Sequence, residues 1–216
     1  SATRYEVKYA FNNEAFKSAS VSTNQFVLPE ALVAGKYAFQ IITVPLDNTY
    51  FKNQSEVYNI EKLAAPTLTF NNGEVSWQGL NGASAYLVEV FDGQTLLDSE
   101  TVYASIGTSS TLARSVCKTP GTNYSVCVTA LGDENNSIFS SDKSQSYAFE
   151  KLPIAEVLYN QTTKTFEITN IGGYSSIIEI KNTSAGALKG ENSVIFNSAS
   201  SLPYTLRAKL IAVNPA

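Results

Sequence analysis

Apolar and polar residues alternate with a period of two in the chain's clearest segments. Tyr5-Glu6-Val7-Lys8-Tyr9 puts Tyr, Val and Tyr on one face; Tyr86-Leu87-Val88-Glu89-Val90 and Tyr124-Ser125-Val126-Cys127-Val128 repeat the pattern. Successive side chains on a strand point to opposite faces, so each segment reads as a half-buried strand. No window gives a capped helical stripe. Turn dipeptides are dense: Asn72-Gly73, Asn81-Gly82, Asp92-Gly93, Pro120-Gly121 and Gly172-Gly173. Strands near regular spacing, without helices between them, predict an all-β chain built as a β-sandwich or a barrel.

The pattern also repeats. Glu61-Lys62-Leu63 recurs as Glu150-Lys151-Leu152, an offset of 89. Gly35–Ile41 matches Thr122–Val128 at an offset of 87, and Arg4–Tyr9 matches Ala85–Val90 at 81. A repeat of this size suits a small sandwich module. Boundaries near Leu63 and Leu152 divide the chain into 1–62, 63–151 and 152–216. The links are too short for flexible tethering.

The middle module carries seven expected strands: Pro66–Phe70, Glu74–Gln78, Ala85–Phe91, Thr95–Ser99, Ser110–Cys117, Tyr124–Leu131 and Lys143–Phe149. The first module begins at the counterpart of the third strand, Tyr5–Tyr9. The third has Glu156–Tyr159, Thr165–Thr169, Ser176–Lys181, Ser193–Phe196 and Tyr204–Val213, and stops before a seventh. One complete module between two incomplete ones is the expectation, and the lack of any Met, even at the start, suggests a piece of a longer protein.

The middle module resembles a fibronectin type III domain. Ala65-Pro66 opens its first strand, Val75-Ser76-Trp77 is the second, Ala85–Val90 the third, and Pro120–Val128 the turn and sixth strand; Asp142–Ser146 leads into the seventh. The resemblance implies a Greek-key, immunoglobulin-like sandwich with Trp77 in mid-core and Tyr124 as a tyrosine corner. A lone Trp on an alternating strand and a Tyr after a Pro-Gly turn suit those places physically. In the flanking modules, Tyr37 lacks the preceding Pro, Ile168 takes the Trp position, and Leu202-Pro203-Tyr204 lacks the Gly. The variety resembled is that of repetitive bacterial surface proteins.

Composition narrows the chemistry. The 216 residues include no His, two Cys and one Trp. Without His there is no Ser-His-Asp or Cys-His machinery and no imidazole metal ligand; two Cys alone cannot complete a structural zinc site. Only 16 % of residues are charged and the net charge is −4, so no basic footprint for nucleic acid exists. Ser, Thr and Asn fill 62 positions, which suits turns and solvent faces of strands. No apolar run is long enough for a membrane helix.

Candidate sites are few. Asp133-Glu134, Glu89 and Glu179 read as solvated surface acids rather than a catalytic pair. Leu131–Asn136 offers oxygens to a hard cation but lacks the alternating acidic pattern; Asp47-Asn48 is thinner still. Cys117 and Cys127 flank the Pro120-Gly121 turn and either pair or remain thiols. Cys127 has the outward phase, and Cys117 ends a strand expected in the opposite sheet. Tyr50-Phe51 and Ile138-Phe139 stand at matching places before the last strand, as partner contacts or as elements folded onto the sandwich edge. Five sequons, at Asn53, Asn123, Asn135, Asn160 and Asn182, are near the chance number for this composition.

No enzymatic activity, cofactor or metal is expected. The expected role is a structural spacer or adhesion array, extracellular or at a cell surface. An accessory carbohydrate-binding module of a secreted polysaccharide-degrading enzyme and a protein-binding ectodomain are the alternatives. The expected partner is a protein or carbohydrate, with no nucleic acid and no membrane insertion.

Overall fold

The computed structural model of the chain describes residues 2–46, 49–182, 186–196 and 204–211. Residues 1–117 with 124–149 form one compact unit, and 118–123 with 150–216 another.

The first unit opens with β1 (Ala2–Phe11), β2 (Lys17–Val21), β3 (Gly35–Pro45), β4 (Asn53–Gln54) and β5 (Tyr58–Lys62). They form one antiparallel sheet in the order β2-β1-β3-β5, with β4 on β3. Register puts Tyr5, Val7, Tyr9 and Phe11 opposite Thr43, Ile41, Phe39 and Tyr37, so one face is apolar. The Tyr37 hydroxyl accepts from the Val33 N–H (2.9 Å) and donates to the Val33 carbonyl (3.1 Å), a tyrosine corner made without a preceding Pro.

Next come β6 (Leu68–Asn71), β7 (Glu74–Trp77), β8 (Ala85–Asp92), β9 (Thr95–Tyr103), β10 (Ser109–Ser110), a one-turn helix α1 (Leu112–Val116), β11 (Asn123–Leu131), β12 (Ile138–Phe139) and β13 (Tyr147–Glu150). Two sheets, β6-β7-β10 and β9-β8-β11-β13, enclose one core. Asn72 and Gly73 both have positive φ, the conformation a two-residue hairpin turn needs, and they fix Leu68 opposite Trp77. Val75 and Trp77 from one sheet meet Tyr86, Val88, Val90, Val126 and Val128 from the other, and the Trp77 and Tyr86 ring centroids are 5.1 Å apart. Tyr124 is buried, its ring 5.9 Å from Phe149.

The registers of the two regions coincide. Tyr86 faces Ala130 and Val88 faces Val128, as Tyr5 faces Thr43 and Val7 faces Ile41. The sequence offsets of 81 and 87 are therefore structural equivalences.

Ser110–Cys117 departs from expectation. It forms a two-residue strand and then α1, because Ala113 and Cys117, four apart, turn into the core together. The Ser110 hydroxyl accepts from the Leu112 N–H and donates to Glu100, fixing the helix entry. Strands β2 and β17 also had no counterpart in the sequence reading.

The second unit holds β14 (Val157–Asn160), β15 (Thr165–Ile168), β16 (Ser175–Asn182), β17 (Gly186–Gly190), β18 (Ser193–Ile195) and β19 (Tyr204–Ile211). Its sheets, β14-β15-β18 and β17-β16-β19, have the connectivity of β6-β7-β10 and β9-β8-β11. Ile168, Ile178, Ile180, Val194 and Leu210 form its core. Leu202-Pro203 lies outside the described residues. Among the described residues no helix is long and apolar enough to cross a membrane.

Candidate functional site: a braced loop and the bridge it makes

Strand β11 meets the segment before β13 through serine hydroxyls rather than a regular ladder. The Val128 N–H donates to Ser144 Oγ (3.0 Å) and the Ser144 N–H to the Val128 carbonyl (2.9 Å). Ala130 and Ser141 make the same exchange at 2.9 Å each. Each hydroxyl satisfies a buried backbone donor that would otherwise be orphaned. Ile41 and Ser55 repeat the pair in the first sheet, at 3.0 and 2.8 Å. Ile41–Ser55 and Val128–Ser144 are thus equivalent braces in the two sheets.

The second loop is in use. It carries β12, which pairs in parallel with the end of β5, Ile138 with Glu61 and Phe139 with Lys62. The Glu61 N–H donates to the Ser137 carbonyl (2.9 Å) and the Leu63 N–H to the Phe139 carbonyl (3.0 Å). Local geometry supports the bridge. The Asp133 carboxylate accepts from the Asn135 N–H and the Asn136 side-chain amide, closing a short turn, and Ser137 takes the left-handed conformation after it. A Cβ on Gly132 would lie 2.2 Å from the Ile138 carbonyl oxygen, so only glycine permits this approach.

Side chains tie the same junction. Tyr58 and Ser137 hydroxyls are 2.7 Å apart. The Lys62 ammonium, its side chain 14 % exposed, lies 2.8 Å from Asp142 and donates to the Leu32 carbonyl at 2.9 Å. A mostly buried lysine is tolerable because its charge is paired and two of its three donors are matched. An open groove of about 650 Å³ lies alongside, lined in part by Phe16, Val57, Ile60 and Ile138.

The two predicted aromatic sites therefore differ. Ile138 packs on the sandwich core and Phe139 sits in the bridge, 37 % exposed. Tyr50 and Phe51 are 61 % and 97 % exposed. No disulfide joins Cys117 and Cys127. Cys117 is buried at the end of α1, whereas Cys127 lies opposite Glu89.

Glu89 and Glu179 correct the expectation of open solvated carboxylates. The Glu89 side chain is only 12 % exposed and meets Lys143 at 2.8 Å; Lys143 also lies 5.3 Å from the Phe91 ring centroid. Glu179 has Lys181 at 3.5 Å and Lys189 at 3.6 Å. Both outward carboxylates are thus paired with lysine ammonium groups rather than left to water alone. Among the described residues no three acidic or Cys side chains gather as a metal site, and Asp47-Asn48 lies outside those residues.

Lys62, Asp142, Ser141 and Ser144 escaped the sequence reading. The 89-residue offset that aligns Leu63 with Leu152 also aligns Ser55 with Ser144, and it was the available signal.

In the second unit the Tyr174 hydroxyl donates to Glu150, and this bond, with burial and the carboxylate charge, raises its pKa above 10.0. A raised folded-state pKa means the contribution is complete below about pH 10 and is lost as pH climbs through the raised value. Tyr174 is expected to ionise above that range in a tyrosinate absorbance titration compared with Tyr174→Phe. An ordinary midpoint at the Tyr174 position would refute the contact.

No family model matches the chain, and no curated protein matches it at a significant level. Among solved structures it is similar to the chicken CNTN1 FN1–FN3 domains, at 16 % identity and a TM-score of 0.34, covering 97 % of this chain and 84 % of that one. It is also similar to a two-domain fibronectin type III segment of chicken tenascin, at 16 % identity and a TM-score of 0.33, covering 70 % and 86 %.

Proposed function

We propose that the chain is a non-catalytic spacer within an adhesion-type array of fibronectin type III-like modules, on a secreted or cell-surface protein. The parallel bridge between β12 and β5 carries this reading. Strand β5 runs directly into Leu63, which is buried in the core of the next sandwich, and β12 reaches back to hold it. A joint without free residues and with a cross-strand clasp transmits position instead of dissipating it, which is what a spacer must do. The absence of His and the pairing of Glu89 and Glu179 with lysines fit a part that performs no turnover.

Nuclear spin relaxation tests this. The first sheet and the central sandwich are expected to share one rotational correlation time; two separate times would overturn the reading. Lys62→Met removes the ion pair with Asp142 and the bond to Leu32. A net loss of about 1 kcal/mol corresponds to roughly fivefold faster amide exchange at Glu61 and Leu63. Unchanged exchange at those amides would show that Lys62 does not hold the joint.

A second reading, a contact surface for a protein or carbohydrate partner, is favoured by the exposed pair Tyr50 and Phe51. Binding to arrayed glycans or to a purified partner that is lost in Phe51→Ser would support it. Binding indifferent to that change would count against it.

A further inference from the structure

We propose that the free edge of β9 is a strand-addition site for an extended, basic segment of another protein, paired antiparallel with β9 and carrying Lys or Arg at alternate positions. The argument stands on the geometry of one sheet edge and rests on neither reading above. Strand β9 ends the sheet β9-β8-β11-β13 on one side, and each of its residues except Val102 is exposed.

The phase of the hydrogen bonds shows what this edge offers. Strand β11 turns the backbone groups of Val128 and Ala130 toward Ser144 and Ser141, so those of Cys127 and Thr129 face β8. Their partners Glu89 and Leu87 face back, and Tyr86, Val88 and Val90 face β9. Val102, Glu100 and Asp98 therefore bond to β8, and the backbone groups of Ser99, Thr101 and Tyr103 point away from the sheet. Asp98 Oδ1 accepts from the Ser99 N–H and the Tyr103 carbonyl from the Ile106 N–H, each at 2.8 Å. Between them, the Thr101 N–H and carbonyl have no partner among the described residues. Edges are commonly blunted with Lys or Pro, and β9 contains neither.

Charge and shape select the occupant. Asp98, Glu100 and Val102 share one face of β9, opposite Val90, Val88 and Tyr86. On that face an open notch of about 320 Å³ lies between β9 and α1, lined by Ser99, Glu100, Thr111, Leu112 and Ser115. Glu100 accepts the Ser110 hydroxyl on one carboxylate oxygen. Neither Asp98 nor Glu100 has an ion-pair partner among the described residues, and Arg114 of α1 donates instead to the Asn72 carbonyl. On an added strand, the residue opposite Glu100 sends its side chain to the notch, and the residue two places on meets Asp98. Backbone bonds to Thr101 attach the strand, and cations at these alternate positions select it. A second copy of β9 fits less well. Pairing about Ser99 sets Asp98 against Glu100, pairing about Glu100 sets like against like, and pairing about Thr101 sets Glu100 against Val102.

The test uses the intact chain and a synthetic peptide with blocked ends, Thr-Val-Thr-Lys-Thr-Lys-Thr. Its antiparallel register sets Val opposite Val102 and the two Lys opposite Glu100 and Asp98. At saturation, amide exchange at Thr101 and Tyr103 is expected to slow at least roughly tenfold, while Glu100 and Val102, already bonded to β8, change little. The peptide with both Lys replaced by Glu is expected not to bind. Neither is the Lys peptide N-methylated at the Thr opposite Thr101, whose N–H must reach β9. Asp98→Lys in the chain, at an exposed position, should weaken the Lys peptide at least roughly tenfold and admit the Glu peptide. No binding of the Lys peptide, binding without protection at Thr101, or equal binding of the Lys and Glu peptides would overturn the proposal. So would protection of Thr101 in the chain alone that is lost on dilution, because a second copy would then occupy the edge.

Discussion

Replacing Trp77 with alanine is expected to destabilise the central sandwich by about 3–5 kcal/mol. The indole is 5 % exposed and fills the space between the two sheets, its centroid 5.1 Å from that of Tyr86. It sits at the end of a four-residue strand in a hairpin whose register admits no shift without turning Val75 out of the core. Truncation leaves a void bounded by two separate sheets, which cannot close it by moving one side chain. Trp77→Phe is expected to cost much less. The indole N–H meets no acceptor among the described residues, so removing it strands no partner there, and a ring remains against Tyr86. Denaturant unfolding followed by the methyl signals of Val88 and Val128 separates this transition from that of the second unit. Similar midpoints for the alanine variant and the parent would refute the core role.

The second large effect is expected at Gly132. Gly132→Val forces a Cβ to within 2.2 Å of the Ile138 carbonyl oxygen, a backbone atom that moves only if the loop carrying β12 moves. Overpacking of this kind costs about 1–3 kcal/mol. Its signature is local: faster amide exchange at Glu61 and Leu63, whose acceptors are the carbonyls of Ser137 and Phe139. Gly107→Val is the control, since a Cβ there meets nothing within 4 Å and its backbone is not left-handed. If both variants exchange alike at Glu61 and Leu63, the bridge does not depend on the close approach.

Much of the architecture was legible because it rests on nearest-neighbour pattern. Alternation located β1, β8 and β11, and the offsets of 81 and 87 anticipated a shared register that the sheets display. Trp77 could be placed in the core because a single indole on an alternating strand has few other places to go. Helix α1 was not legible, since five residues cannot sustain a helix alone; burial of Ala113 and Cys117 decides it. Strand β12 is two residues long and pairs across the junction, so no local pattern announces it. The low exposure of Glu89 was not legible because strand phase reports which face a residue occupies, not which lysine from a later segment pairs with it. The Tyr50-Phe51 and Ile138-Phe139 pairs look alike in sequence and are separated by context. One loop has a strand within reach to clasp; the other presents Phe51 to solvent.

The clasp between β12 and β5 also imposes an order of assembly. Its contacts join residues about 80 positions apart, Tyr58 with Ser137 and Lys62 with Asp142. Closing so long an intervening segment as a free loop is entropically unfavourable; closing it after the sandwich has condensed is nearly free, because folding has already brought the ends together. During synthesis β5 therefore emerges and waits for residues that are made much later. The joint stiffens only once the central sandwich is complete, so rigidity passes from that sandwich back to the sheet made before it.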